Sequence, residues 1–271
     1  MIKKEKQFIK TIWEYYKHNG RHDLPWRNTR DPYKILVSEV MLQQTQVERV
    51  IPKYSAFLKK FGTVQKLSKA SLGEVLSMWQ GLGYNRRAKM LRICAKEIMT
   101  AHNGKFPDTE SGLLELPGIG PYTSSAVLAF AYNIPTILIE TNVRSVYLHY
   151  FFSDETEVSD KEIVRYIART LDTANPREWY YALMDHGSHI KKEFGNPNKR
   201  SAHHVIQSTF KDSDRQIRGA IIRILSAEGR TRAQLLSALA SFEDIRVDAQ
   251  IERLLSEGMI QKRKMKFMLP E

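Results

Sequence analysis

The sequence is poor in cysteine and has no long apolar run. Its one cysteine, Cys94, cannot build a disulfide framework, and a single thiol is too few to hold an iron–sulfur cluster. No stretch approaches the roughly 18 consecutive apolar residues of a membrane span, and the amino terminus lacks the apolar segment of a signal peptide. We therefore expect a cytoplasmic protein (nucleoid-associated in a prokaryote) that has no membrane partner.

Acidic residues are also in deficit. The chain has 30 Asp and Glu against 42 Lys and Arg, a formal net charge of +12. An excess of this sign favours a polyanionic partner, of which nucleic acid is the commonest. With 42% hydrophobic residues in 271, the chain can bury one large core or two modest ones.

Strand-like alternation is missing until the last dozen residues, whereas apolar positions three and four apart recur along most of the chain. The helical patterns are Phe8–Tyr16, Tyr33–Val50, Leu72–Leu82, Ala88–Met99, Thr123–Ala131 and Lys161–Leu171. We predict an all-α domain over residues 1–200, and we interpret the polar, aperiodic segment Asn196–His204 as a linker.

A second pattern occupies residues 212–271. Periodicity predicts helices over Arg215–Glu228, Arg232–Ala240 and Val247–Glu257, with Thr231 capping the second, and two short strands within Met259–Leu269. Three helices and a terminal hairpin match a small winged-helix-like α+β domain, a relative of helix-turn-helix DNA-binding modules. The alternative is a helical packing domain without DNA contacts.

A glycine-containing turn, LPGIGPYT (Leu116–Thr123), joins two predicted helices. Gly118 and Gly120 permit a tight turn with exposed backbone N–H groups at the start of a helix, where the dipole also favours an anion. Such a turn can clamp a DNA phosphate without reading sequence. We expect Gly118, Gly120 and Thr123 to bind DNA.

These motifs together resemble those of one family. LPGIGPYT resembles the hairpin of the helix-hairpin-helix DNA glycosylase superfamily. LPWR (Leu24–Arg27), SEVMLQQTQV (Ser38–Val47), GLGYNRRA (Gly81–Ala88) and IETNV (Ile139–Val143) resemble, in this order, the MutY-type adenine DNA glycosylases. The resemblance covers about residues 8–190 and implies two helical lobes with the active site in a cleft between them.

The implied activity is base excision repair. Such an enzyme flips a mispaired base out of double-stranded DNA, here adenine opposite 8-oxoguanine or guanine, and hydrolyses its bond to the sugar. Cleavage of that bond needs a protonated leaving base and a negative charge near an oxocarbenium-like sugar, which two carboxyl groups in different surroundings can supply.

Two glutamates are the candidates for this chemistry. Glu39 lies within the apolar segment ILVSEVML, so we expect burial to raise its pKa, and the resemblance makes it the proton donor to adenine. Glu140 precedes a helix-start signature, where the helix dipole favours an anion. The family has aspartate at this position, so the longer side chain departs from the pattern. Asn142 matches a residue that orients this region.

Tyr122 stands where bifunctional relatives such as endonuclease III carry an attacking lysine. A phenol cannot form a Schiff base, so we predict a monofunctional glycosylase that leaves an abasic site. Tyr122 would then line the base pocket or screen the sugar. Lys191 and Lys192 are the alternative lyase candidates.

The resemblance also assigns DNA contacts. Gln43 and Gln44 would insert at the flipped base and Tyr84 would wedge beside its partner, because amides and an aromatic ring can fill a gap in the stack. The alternative is an ordinary polar helix face and a core tyrosine.

Two further groups match the family less specifically. Trp26 and Arg27 belong to the segment near the substrate pocket, although Trp26 can equally be a core residue. Arg86, Arg87 and Lys89 form a basic cluster that can bind phosphate or simply be solvated.

Two family features have no counterpart in the sequence. The four cluster-ligating cysteine positions fall on Lys191, Asn198, Ser201 and Gln207. We therefore predict no cofactor and no metal, since the neighbouring histidines lack the cysteines of a typical structural zinc site. The Nudix-like carboxy-terminal domain, which recognises 8-oxoguanine in the family, is replaced by the predicted winged helix.

Two other functions stay open. One is a mismatch thymine or uracil glycosylase of the same superfamily, whose members also carry a tyrosine after the hairpin. The other is a non-catalytic winged-helix DNA-binding protein, against which Glu39 and the acidic residue at 140 argue. In each case the expected partner is duplex DNA, mismatched or oxidised for an enzyme, and the expected state is a monomer.

Overall fold

A computed structural model describes residues 2–206 and 209–271, and it is mostly helical. The α-helices of the described residues are α1 (Lys3–Asn19), α2 (Pro32–Leu42), α3 (Val47–Lys60), α4 (Val64–Lys69), α5 (Leu72–Met78), α6 (Arg86–Ala101), α7 (Glu110–Leu114), α8 (Pro121–Tyr132), α9 (Thr141–Phe151), α10 (Asp160–Thr170), α11 (Pro176–Glu193), α12 (Asp214–Leu225), α13 (Arg232–Ala238) and α14 (Asp244–Ser256). Short 3-10 helices occupy Pro25–Asn28 and Pro197–Arg200. Across these two stretches, no helix combines the length and apolarity needed to cross a membrane.

The described residues divide into two compact units. The first unit contains residues 2–36, 107–114 and 119–206, and the second contains residues 37–106, 115–118 and 209–271. Each unit has its own buried core; Glu140 belongs to the first unit and Glu39 to the second.

The core of the first unit is aromatic and lies among α1, α9 and α11. The ring centroid of Phe8 lies 5.3 Å from that of Tyr147 and 6.0 Å from that of Trp179. All three side chains are buried. Because aromatic side chains bury large apolar areas, this cluster fixes α9 against α11, and Glu140 stands at the start of α9.

The core of the second unit includes a second aromatic cluster. Phe57 of α3 lies 5.0 Å from Phe61 and 5.9 Å from Trp79, measured between ring centroids. The indole Nε1 of the buried Trp79 donates to the carbonyl of Gly83 at 3.1 Å. A core side chain therefore holds the turn that follows α5.

The predicted helical run Tyr33–Val50 is two helices, so the expectation of one continuous pattern was wrong. α2 ends at Leu42 and α3 begins at Val47. Gln44 lies between them with φ 52°, in the left-handed region that a right-handed helix cannot include.

Residues 209–271, called here the C-terminal module, combine α12, α13 and α14 with a three-stranded antiparallel sheet. The strands are β1 (Arg230–Thr231), β2 (Gln261–Arg263) and β3 (Lys266–Met268), in the order β1-β3-β2. The predicted helices and hairpin are confirmed, as is the Thr231 cap, whose hydroxyl accepts from Gln234 N at 3.3 Å. The two-residue β1 was missed, because so short a strand has no alternation to detect.

The C-terminal module is hydrogen-bonded to the rest of the second unit. Gln80 Nε2 lies 2.6 Å from Ser226 Oγ, Gly73 N donates to the Pro270 carbonyl at 2.8 Å, and Lys89 Nζ donates to the Glu257 carbonyl. Several parts of the module are therefore bonded to residues of α5 and α6 and to the turn between them.

Candidate active site and nucleic-acid interface

Glu39 is buried inside α2. Every residue from Ile35 to Met41 is buried, and Glu39 itself is only 5% exposed. The helix is apolar on most faces because it is packed on most faces. The burial on which the predicted role of Glu39 depends is thus confirmed.

Arg87 holds the carboxy-terminal end of the same helix. Its guanidinium donates to the carbonyl oxygens of Val40 (2.6 Å), Met41 (3.0 Å), Gln43 (2.7 Å), Leu82 (2.9 Å) and Gly83 (3.1 Å). Burial lowers the pKa of Arg87 to about 10, so the group is still a cation at neutral pH. The last carbonyls of a helix lack intrahelical donors, and a cation there is favourable. The described contacts of Arg87 are therefore internal to the protein.

The two predicted insertion segments form one bonded pair of turns. Gln44 has φ 52° and Tyr84 has φ 46°, and both residues are exposed. Thr45 Oγ1 lies 3.1 Å from the Gln43 carbonyl and 3.4 Å from the Leu82 carbonyl, which ties the two turns together. A left-handed aromatic residue is strained by about 1–3 kcal/mol and persists only where its surroundings enforce it. Such strain is typical of functional positions.

Of the other basic residues after this turn, Arg86 is exposed and Lys89 is half-buried. Lys89 bonds the Glu257 carbonyl of the C-terminal module, whereas Arg86 stands at the start of α6. Arg86 is therefore the solvent-exposed arginine of this cluster.

The glycine turn is a hairpin between α7 and α8, as predicted. Gly118 has φ +82°, and a Cβ there would lie 2.7 Å from the Cβ of Met90, so only glycine fits. Gly120 is the N-cap of α8 with Pro121 at its first position, which leaves backbone N–H groups at a helix start. Tyr122 is half-buried and Thr123 is buried.

Glu140 caps the amino end of α9 with its own side chain. Oε1 accepts from the backbone N of Asn142 and of Val143, each at 2.8 Å, and Oε2 accepts from Asn142 Nδ2 at 3.3 Å. The predicted helix start is confirmed. The half-buried side chain of Glu140 is therefore oriented by donors at the amino end of α9.

Gly187 of α11 is a residue that sequence reasoning missed. A Cβ at this position would lie 2.2 Å from the carbonyl oxygen of Asn142, so any side chain would push α9 away. Glycine in the middle of a long helix costs about 1 kcal/mol relative to alanine, which is the signal that could have found it.

Lys191, an alternative lyase candidate, lies in the same region of the first unit. Burial lowers its pKa, and the charge of Glu140 opposes that shift. Lys192 is exposed at the end of α11.

The residues at the predicted cluster-ligand positions do not fit an iron–sulfur cluster. Asn198 is 4% exposed, and its Nδ2 donates to the Thr141 carbonyl at 3.1 Å and to Ser145 Oγ at 2.6 Å. Ser201 is buried beside Val158. Gln207 lies outside the described residues. At Asn198, side-chain hydrogen bonds stand in the place of a thiolate ligand. Within residues 2–206 and 209–271, no cluster of acidic, histidine or cysteine side chains is arranged to hold a metal.

The same contacts overturn the linker interpretation for Pro197–Ser201. Asn196 caps the 3-10 helix by accepting from Asn198 N, and Pro197 follows at the first helical position. The segment is polar because its side chains cap and bond to α9, so polarity without periodicity was misleading.

Trp26 and Arg27 are anchored inside the first unit. Trp26 is 5% exposed, and Arg27 donates to both carboxylate oxygens of Asp185, at 2.7 and 2.8 Å. Arg21 donates to Asp185 as well, through Nε at 2.7 Å. Burial alone would raise the pKa of Asp185, but hydrogen bonds from Arg27 and the two arginine charges hold it below its usual range. This buried ion cluster fixes the segment before α2.

Comparison with known proteins agrees with this geometry. Residues 37–171 match the HhH-GPD superfamily of base excision DNA repair proteins. The adenine DNA glycosylase of Mycolicibacterium smegmatis is 34% identical over 273 residues, which cover 93% of this chain and 92% of that protein. The chain belongs to the adenine DNA glycosylase family.

Other members and solved structures support the family and its fold. The adenine DNA glycosylase of Buchnera aphidicola subsp. Baizongia pistaciae is 36% identical over 187 residues, 68% of this chain. The chain spans about half the length of this relative, 52%. A thermostable thymine-DNA glycosylase aligns with a TM-score of 0.61 and 27% identity, covering 69% of this chain and 87% of that one. An endonuclease III–DNA covalent intermediate, 18% identical, aligns with a TM-score of 0.56 over 78% of this chain and 92% of its own chain, which shows the fold alone.

Proposed function

We propose that this protein is a monofunctional DNA glycosylase that removes adenine from mispaired duplex DNA and leaves an abasic site. The observation that carries the proposal is the burial of Glu39 at 5% exposure in an apolar helix, at the position of the family's proton donor. Relatives named adenine DNA glycosylases, at 34–36% identity, support adenine as the target.

The reaction follows from two unlike carboxyl groups. Glu39, neutral in its apolar helix, donates a proton to the flipped adenine, and the bond between C1′ and the base then breaks. Glu140, held by the amino end of α9, stabilises the positive charge that develops on the sugar. Water adds to C1′, its proton passes to Glu39 or to solvent, and adenine and an abasic sugar are released. Asn142 orients the anion through its amide.

The residue that follows the hairpin supports a monofunctional reaction. Tyr122 occupies the place of the attacking lysine of bifunctional relatives, and its phenol cannot form a Schiff base. It lines the base pocket in the proposed complex, next to a segment that Trp26 and Arg27 support. The strand therefore stays intact after base release.

DNA binding is proposed for three surfaces. Gln43, Gln44 and Tyr84 fill the gap left by the flipped base. The hairpin with Gly118 and Gly120, next to Thr123, binds a phosphate, and Arg86 binds another. The third surface is the C-terminal module, which we propose to be a winged helix acting as part of a monomer. Its turn between β2 and β3 exposes basic side chains to the DNA backbone: Arg263, Lys264 and Lys266.

A panel of labelled duplexes tests the proposal. Each duplex carries one pair, A opposite 8-oxoguanine, A opposite G, T opposite G, U opposite G, or A opposite T, and is treated with hot alkali after incubation. We expect nicking at A in the first two duplexes, and only after alkali. Nicking at T or U would indicate the thymine or uracil alternative, nicking without alkali a lyase, and binding without nicking a non-catalytic protein.

A further inference from the structure

Tyr84 is held by an arginine of the C-terminal module. Arg215 Nη1 donates to the Tyr84 hydroxyl at 2.6 Å, and its guanidinium carbon lies 5.5 Å from the ring centroid. The guanidinium of Arg87 lies 5.6 Å from the same centroid. Both distances are within the range of a cation–π contact, so the exposed ring of Tyr84 is in contact with two cations from different elements.

Arg215 is itself fixed in place by the module. It is the second residue of α12, and Arg246 of α14 donates to the Asp212 carbonyl at 2.8 Å and to Asp214 Oδ1 at 2.9 Å, on either side of the helix start. The module in turn is bonded to the turn after α5 through Gln80 and to α6 of the same unit through Lys89. The contact with Tyr84 therefore joins a helix start and a turn that are each held by hydrogen bonds.

We propose that Arg215 is a positioning residue for Tyr84. The C-terminal module would thereby help Tyr84 to insert into the base stack. This inference rests on the proposed function, in which Tyr84 wedges into the duplex. An exposed ring on a strained turn would otherwise sample several rotamers, and ordering it would cost free energy when DNA binds. Arg215 orders the ring before DNA binds, and its positive charge favours the approach of the DNA phosphates.

The test is a double-mutant cycle on a functional readout. Arg215→Ala removes the cation and the donor, Tyr84→Phe removes the acceptor and keeps the ring, and Arg215→Lys keeps a cationic donor. The matched control is Arg223→Ala, which removes an exposed arginine about two turns further along α12. Three quantities are measured: the single-turnover rate of base release, the fluorescence of 2-aminopurine placed beside the mispair, and the unfolding midpoint.

We expect Arg215→Ala and Tyr84→Phe each to lower the rate and the fluorescence change by about threefold to tenfold, as the loss of one exposed charged hydrogen bond and cation–π contact predicts. The double variant should release the base no more slowly than the slower of the two single variants. Arg215→Lys should recover part of the loss, and Arg223→Ala should behave as wild type. Unfolding midpoints should be unchanged.

Additive losses in the double variant would overturn the inference, because Arg215 would then act on DNA independently of Tyr84. Unchanged rates for Arg215→Ala would overturn it as well. If Arg215→Ala does not fold, the cycle between Arg215→Lys and Tyr84→Phe carries the same test. A wild-type protein that releases no base would refute the proposed function instead, and the 2-aminopurine signal would still test the contact.

Discussion

Glu39 and Glu140 have the same functional group in opposite surroundings. In the second unit, Glu39 lies in the interior of an apolar helix whose residues are buried from Ile35 to Met41. In the first unit, Glu140 stands at a helix start, where two backbone N–H groups donate to one of its oxygens. Position within a helix thus decides which carboxyl is packed among apolar side chains and which is held by backbone donors.

The two units also differ in the contacts that support them. The first unit uses a buried ion cluster on Asp185 and a close helix approach at Gly187. The second unit uses one arginine, Arg87, which donates to five carbonyl oxygens. Variants that disturb one set of contacts and spare the other can distinguish an effect on base release from an effect on stability.

The largest effect is expected for Glu39→Gln. The amide keeps the shape but has no acidic proton, so the single-turnover rate of base release should fall by about 10³-fold or more. Affinity for the mispaired duplex should be unchanged. Glu48→Gln, which changes an exposed glutamate of α3, is the control. Substantial remaining turnover in Glu39→Gln would reject this residue as the acid.

Asp185→Asn should weaken the support in the first unit. The change leaves the buried cation of Arg27 without its carboxylate, and breaking such a pair costs about 3–5 kcal/mol of unfolding free energy. Because the folded-state pKa of Asp185 is lowered, its contribution is present above its unfolded-state pKa of about 3.9 and disappears as pH falls below that value.

Urea unfolding of wild type and Asp185→Asn at pH 7 and at pH 3 measures both effects. The difference between the two proteins should be large at pH 7 and smaller at pH 3. Asp154→Asn, at an exposed position of the same unit, should change stability by less than about 0.5 kcal/mol. A difference that does not depend on pH would contradict the ion-cluster explanation.

Arg87→Ala should weaken the support in the second unit by about 2–4 kcal/mol, since it strips donors from carbonyls at the end of α2 and in the following turns. Arg87→Lys should recover only part, because an ammonium cannot span the same acceptors. Thermal unfolding and the rate of base release are the measurements. Arg86→Ala provides the contrast: it should weaken DNA binding and leave the midpoint unchanged. If Arg87→Ala likewise weakened DNA binding and left the unfolding midpoint unchanged, Arg87 would be a phosphate ligand.

A smaller effect concerns His186 of the first unit, which is 6% exposed and bonds the Tyr150 hydroxyl at 2.8 Å. Burial lowers the pKa of His186 to about 4, with nearby histidines adding to the shift. The unfolded chain, with a histidine pKa of about 6.5, binds more protons between these values, so stability should fall by roughly 2–3 kcal/mol as pH drops from 6.5 to 4. His186→Gln should flatten that slope in urea titrations, and His18→Gln should not.

The smallest effect is expected for Glu140→Asp. Aspartate is a good N-cap and is the residue that the family carries here, so the rate of base release should change by less than about tenfold. Glu140→Gln keeps the length and loses the charge, and it should be the slower of the two. An inactive Glu140→Asp would show that the site is built around the longer side chain.

Sequence patterns were sufficient for the features that depend on local order. Helical periodicity predicted most of the long helices, and the glycine hairpin and the start of α9 followed from turn and capping residues. The burial of Glu39 followed from its apolar neighbours. Each of these depends on residues within a few positions along the chain.

What escaped prediction depends on partners distant in sequence. The break at Gln44 is enforced by Arg87, and the ordered segment Pro197–Ser201 depends on hydrogen bonds from Asn198 to α9. Gly187 matters only because Asn142 lies against it. The hydrogen bond from Arg215 to Tyr84 joins residues far apart in the sequence, so no local pattern could predict it.

Alkylation of Cys94 can report on local opening of this protein. The chain's one thiol is 1% exposed in α6, and burial, with the charge of Glu97, raises its pKa to about 12. Only an exposed thiolate attacks an alkylating reagent, so alkylation must wait for α6 to open. The labelling rate of the unmodified protein therefore counts opening events in the second unit alone, and its slowing with added duplex would measure how firmly DNA closes that unit.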